Sequence, residues 1–195
     1  MRLFIALDID DSIRERILRF LEGVCGFAPE ARWVRPESLH VTLKFIGEKP
    51  AEDIELIKQA LSAIRAEPFE VAFRGYGFFP TAKSARVFWV GIEAPPALMK
   101  LATEVDEAAA RCGVPREEHS FNPHLTLARG GRGSGDPKRR KEDAPNQTFR
   151  TLQEKLSRLP TPEFGTMAAR EFFLYESQLM PGGSRYSKIG RFALT

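Results

Sequence analysis

The chain has 195 residues, 43% hydrophobic and 28% charged, with a formal net charge of +3 and a pI near 9.0. These values are ordinary for a soluble globular protein built as one compact unit or two small packed lobes, and the mild basicity permits a polyanionic partner without requiring one. No stretch approaches the roughly 20 apolar residues of a membrane helix, the apolar run after Arg2 is short for a secretory signal, and two cysteines make no disulfide framework; a cytoplasmic, reduced protein with no membrane partner is expected.

Residues 2–9 (RLFIALDI) read as a buried strand. Asp10, Asp11 and Ser12 then offer caps to a helix carrying Ile13, Ile17, Phe20, Leu21 and Val24 on one face, with Gly26 placed to end it in the left-handed conformation. After Pro29 and Pro36 the chain returns as a strand over 39–47. Pro50 opens a second helix with Ile54, Ile57, Leu61 and Ile64, and 68–79 reads as a strand. The same order then recurs: a strand at 86–93, a helix opened by Pro95-Pro96 with Leu98, Leu101, Ala102, Val105 and Ala109, a stop at Cys112-Gly113, and a strand at 121–129. Asn146 is placed to cap a helix with Phe149, Leu152 and Leu156, and 170–177 and 184–195 read as closing strands. Residues 130–145 lack apolar periodicity and hold five basic against three acidic residues, as expected of a mobile surface loop able to track a phosphate backbone or merely solvated.

The repeated order (strand, helix, Cys-Gly, turn, His-x-Thr-Leu) predicts an α+β fold: a single domain over 1–195 of two intertwined, pseudo-twofold-related lobes, each an antiparallel sheet with outer helices, around a central cleft. The two tetrapeptides, His40-Val41-Thr42-Leu43 and His124-Leu125-Thr126-Leu127, use two of only three histidines. Strand alternation puts each His and Thr on one face and the apolar pair on the other. Two imidazoles and two hydroxyls meeting in one cleft suit phosphodiester cleavage. One imidazole takes the proton of water, the other protonates the leaving oxygen, and the hydroxyls hold the non-bridging oxygens. The mirrored motifs leave open which histidine does which. No third His, Cys or nearby carboxylate completes a metal site, so neither metal nor cofactor is expected. His119 has no matching partner and is assigned to a surface turn.

The chain is similar to the 2H phosphoesterases, specifically the bacterial and archaeal RNA 2′,3′-cyclic phosphodiesterases, once called 2′-5′ RNA ligases. The resemblance covers essentially the whole chain, through RLFIALDID, WVRPESLHVTLKFIGE, the FFP at 78–80, FNPHLTLAR and FFLYESQLMPGGSRYSKIGRFAL. It departs from the expected pattern at His119-Ser120, where a more basic or Pro-containing lead-in to PHLTLAR would be usual. The resemblance implies metal-free opening of RNA 2′,3′-cyclic phosphate ends to 2′-phosphates. It implies His40 as proton donor to the leaving 3′-oxygen, His124 as proton acceptor from water, and Thr42 and Thr126 as phosphate-binding residues. Arg129 is a candidate phosphate ligand, Phe45 either a base-stacking or a core ring, and Lys44 and Tyr186 are candidates at the cleft rim. The same groups would serve a nucleotide- or RNA-binding module without turnover, a diesterase for 2′-5′ oligonucleotides or ADP-ribose cyclic phosphate, small nucleotide cyclic phosphates, or reverse 2′-5′ ligation. No heptad run announces an interface, so a monomer is expected.

Overall fold

The computed structural model describes residues 1–130, 147–181 and 183–195; the basic segment 130–145 falls almost wholly outside them, as does the Asn146 cap. Among the described residues nine strands form two sheets in which every neighbouring pair is antiparallel. In chain order the strands are β1 (Arg2–Asp8), β2 (Arg32–Trp33), β3 (His40–Glu48), β4 (Phe69–Phe79), β5 (Val87–Glu93), β6 (His124–Arg129), β7 (Glu163–Ala169), β8 (Glu171–Met180) and β9 (Gly183–Ala193). The helices are α1 (Asp11–Val24), α2 (Asp53–Ser62), α3 (Pro96–Arg111) and α4 (Arg150–Leu156). The first sheet runs β3-β1-β8-β9 and the second β2-β6-β5-β4-β7, so β1 and β3 stand in one as β5 and β6 stand in the other.

The lobes do not coincide with the halves of the chain. β4 belongs to the second sheet, while β8 and β9, from the end of the chain, complete the first. The helices cross over as well: α1 packs on the second sheet, where Phe20 meets Phe88 and Phe164, and α3 packs on β3 of the first. Each helix thus buries its apolar stripe against the other half's sheet, and one continuous core spans both lobes. β1 is buried on both faces, which is why it reads as an unbroken apolar run. Leu3, Ile5 and Leu7 enter this core, and Phe4 and Ala6 face a small aromatic cluster on the cleft side with Phe173, Tyr175 and Tyr186.

Several local expectations change. The caps before α1 are not used, because Asp10 occupies the N-cap without a side-chain hydrogen bond. Gly26 is not left-handed, since the chain leaves α1 through a tight turn at Cys25–Phe27. Gly113 does take φ +72°, and the Gly113 N–H to Ala110 and Val114 N–H to Ala109 bonds close α3 as a Schellman motif. α2 begins at Asp53 after a turn from Pro50, and α4 is a short helix after Phe149. β2 and β7 carry too little apolar alternation to stand out in the sequence, yet they form the two edges of the second sheet. Among the described residues no helix is long and apolar enough to cross a membrane.

Candidate active site

β3 and β6 approach one another along the cleft. On both, the alternation is as expected: His40, Thr42, His124 and Thr126 are half-buried, while Val41, Leu43, Leu125 and Leu127 enter the core. Both strands then bulge at the same place. The β1–β3 register steps from Ala6 opposite Thr42 to Ile5 opposite Lys44, leaving Leu43 extra, and the β5–β6 register steps from Trp89 opposite Thr126 to Phe88 opposite Ala128, leaving Leu127 extra. An extra residue reverses the alternation beyond it.

The bulges decide the fate of three candidates. Lys44 turns to the helix side, buried, with its Nζ 2.6 Å from Asp106, 3.0 Å from Glu117 and 2.8 Å from the Pro115 carbonyl. The expectation of Lys44 at the cleft rim is therefore overturned: it clamps β3 to α3. Phe45 instead faces the cleft, 57% exposed, with its ring 6.2 Å from Phe4. Arg129 takes the matching place in the second lobe and lies near enough to both histidines to oppose their protonation. Tyr186 is at the site, its ring edge-on to His40 at 5.4 Å. His119 lies in an exposed bend, as expected. Cys25 is exposed and Cys112 half-buried, and both are free thiols.

The two imidazoles are held alike. His40 Nδ1 lies 2.7 Å from the Ser38 carbonyl and His124 Nδ1 lies 2.8 Å from the Asn122 carbonyl. A carbonyl only accepts, so each Nδ1 carries the hydrogen and each Nε2 is left to exchange a proton. Burial pushes both pKa values below the ordinary histidine value, against the pull of those carbonyls. The surroundings then diverge. His40 has Asp8 directly across the ladder, a charge that favours its protonated form. The matching residue opposite His124 is Gly91, where a Cβ would stand 2.4 Å from the Arg74 carbonyl oxygen, leaving no room for a carboxylate.

Asp8 was not foreseen, nor were the groups that hold it. Lys188 donates to one of its oxygens and Arg14 to the other at 3.1 Å. Burial raises the Asp8 pKa, but these cations and the Ile9 N–H outweigh it, so the carboxyl is ionised. The three residues line a cleft of about 520 Å³ beside His40, together with Glu37, Tyr175 and Tyr186. Burial and the Asp8 charge push the Tyr175 phenol upward, keeping it a protonated donor. Also unforeseen was the support of His124. Its ring stands edge-on to Phe79 at 4.9 Å, and Phe79 packs 4.9 Å from Trp89, whose indole closes on Gly77. Among the described residues, no group of three or more His, Cys, Asp or Glu gathers to hold a metal ion.

The chain as a whole is similar to known proteins. The chain is 36% identical over 192 residues to an RNA 2′,3′-cyclic phosphodiesterase of Archaeoglobus fulgidus, covering 97% of this chain and 98% of the relative. It is 33% identical over 197 residues to the Escherichia coli enzyme of that name, covering 100% and 97%. The crystal structure of E. coli LigT complexed with 3′-AMP superposes with a TM-score of 0.77 at 32% identity, covering 100% of this chain and 98% of that one. A sequence model of the 2′-5′ RNA ligase superfamily matches residues 10–163, a span that holds both His-x-Thr motifs. With family model, full-length relatives and fold in agreement, the chain belongs to the 2′-5′ RNA ligase superfamily, the 2H phosphoesterases.

Proposed function

We propose that this protein opens 2′,3′-cyclic phosphates at RNA ends to 2′-phosphates without a metal ion, by proton transfer between two histidines. The observation that carries the reading is the matched anchoring of His40 and His124, each with Nδ1 committed to a carbonyl two residues back, on strands that meet at one cleft. The names of the full-length relatives support the substrate class.

In this mechanism a water oxygen bonds to phosphorus while His124 Nε2 takes its proton. The bond from phosphorus to the 3′-oxygen breaks, and that oxygen takes the proton of His40 Nε2, leaving a 3′-hydroxyl and a 2′-phosphate. Thr42 and Thr126 donate to the non-bridging oxygens, and Arg129, whose guanidinium stays charged, offsets the growing negative charge. A 5′-hydroxyl in place of water would give a 2′-5′ linkage by the same transfers. Asp8 supports the division of labour: it favours the protonated form at His40, whereas Gly91 offers nothing comparable to His124.

The test is hydrolysis of a short RNA ending in a 2′,3′-cyclic phosphate, in EDTA, with the product isomers resolved. A 2′-phosphate is expected; a 3′-phosphate, or activity lost to EDTA and restored by a divalent ion, would overturn the mechanism. His40→Ala and His124→Ala should each lower kcat by about 10²–10⁴.

A further inference from the structure

At the end of the cleft away from Asp8, three arginines from three strands face the same space. Arg2 lies on β1 with Phe4 and Ala6, whose side chains are in the cleft-side cluster, so strand alternation turns Arg2 to the cleft. Arg32 on β2 stands directly opposite Arg129 on β6, and residues opposite one another in a ladder share a face. The neighbouring pair of that ladder, Trp33 and Ala128, faces the core, which fixes the sidedness of the two arginines. Among the described residues no carboxylate answers these three cations. Arg2, Arg32 and Arg129 take part in no ion pair or side-chain hydrogen bond there, although thirteen other ion pairs are formed. Glu48, across the ladder from Arg2, is turned to the N-terminal ammonium at 3.6 Å. Burial disfavours the charge on Arg129, Tyr186 favours it, and Arg32 and Arg2 both act against it.

Three guanidiniums that no carboxylate among the described residues answers, on one face of the cleft, are stabilised by an anion held among them. The exposed Phe45 ring lies on the same face, packed against Phe4, between the His40 end and the Arg2 end. An aromatic platform beside a run of cations is the arrangement that suits single-stranded nucleic acid, with a base on the ring and the backbone along the charges. We infer that Arg2 and Arg32, extending from Arg129, form a second phosphate subsite that binds the next phosphodiester along the RNA, upstream of the cyclic phosphate. The inference rests on the function proposed above and adds a preference for oligonucleotides over mononucleotides. The cyclic phosphate is held by the His-Thr pairs and Arg129, and the chain leaves the cleft over Phe45 toward Arg2 and Arg32.

The experiment compares a nucleoside 2′,3′-cyclic phosphate with a trinucleotide ending in a 2′,3′-cyclic phosphate, in the wild type, Arg2→Gln and Arg32→Gln. In parallel, binding of a fluorescently labelled trinucleotide bearing a terminal 3′-phosphate is measured against salt. The expected result is a wild-type preference in kcat/KM for the trinucleotide that falls about tenfold in each variant, an arginine–phosphate interaction being of that order. The slope of log binding constant against log salt should shrink by about 0.7 for each phosphate no longer neutralised. Equal losses on both substrates, or an unchanged trinucleotide preference and salt slope, would overturn the subsite. If neither substrate is turned over, the hydrolytic reading fails, while the binding arm still decides the subsite by the same weakening and slope.

Discussion

Gly77 is the position where the smallest change should reach the chemistry. A Cβ added there would stand 2.1, 2.3 and 2.7 Å from three atoms of the Trp89 indole, where carbon atoms ordinarily meet at about 3.5–4.0 Å. The ring must therefore retreat by about 1.5 Å. Trp89 packs on Phe79, and Phe79 carries the edge of His124, so the displacement is passed to the imidazole. The indole Nε1 is buried without a hydrogen-bond partner among the described residues, so packing dominates what holds the ring in place. Gly77→Ala should cost about 1–3 kcal/mol in stability through overpacking. It should also lower kcat by about 10²-fold, the scale expected of a 1 Å misplacement of a reacting group, with KM little changed. The assay is steady-state hydrolysis of the cyclic-phosphate RNA alongside a thermal melt. Gly77→Ala combined with Trp89→Phe removes the part of the indole that collides most closely and breaks no hydrogen bond seen among the described residues, so it should recover much of kcat. A Gly77→Ala protein with a lowered melting temperature but kcat within about threefold of wild type would refute the argument that this stack positions His124.

Four further substitutions have expected outcomes. Asp8→Asn removes the charge that opposes burial at His40, while His124 and Arg129 continue to disfavour its protonation; the decline of rate with rising pH should therefore begin at lower pH. Lys188→Met leaves Asp8 less neutralised and should move that limb upward; equal shifts, or none, in a pH–rate profile would remove Asp8 from the mechanism. Lys44→Met breaks the buried clamp to Asp106 and should lower stability by about 2 kcal/mol, read as a melting-temperature fall of roughly 4–8 °C, without changing kcat. Burial raises the Asp106 pKa, but Lys44 and the Glu117 N–H hold it below the ordinary value, so the clamp stabilises at neutral pH and this contribution fades as pH falls through the acid range; the variant should lack that acid-side loss. Thr126→Val should lower kcat by about 10²-fold as a donor to the phosphate is removed, whereas an unchanged rate would deny it a place at the reacting group.

Near neighbours along the chain were enough to specify several parts of this protein. Period-two alternation places His40 with Thr42 and His124 with Thr126 whatever the sheet order, and three- and four-residue spacing places the buried faces of α1 and α3. The repetition of one pattern, together with the resemblance in its flanking residues, was enough to name two lobes, a cleft and the two histidine strands that meet there. What alternation cannot carry past an interruption was settled only in the folded chain. Leu43 and Leu127 look like ordinary core residues, yet each is the extra residue of a bulge, so Lys44 goes to the core side and Phe45 and Arg129 to the cleft. Pairing partners were equally hidden. Nothing local says that β4 joins the second sheet, that Asp8 rather than a glycine lies across from His40, or that Arg2, Arg32 and Arg129 share a face. Register and sheet order are set by contacts between segments remote in sequence, where the energy of packing two faces together outweighs what either strand specifies alone.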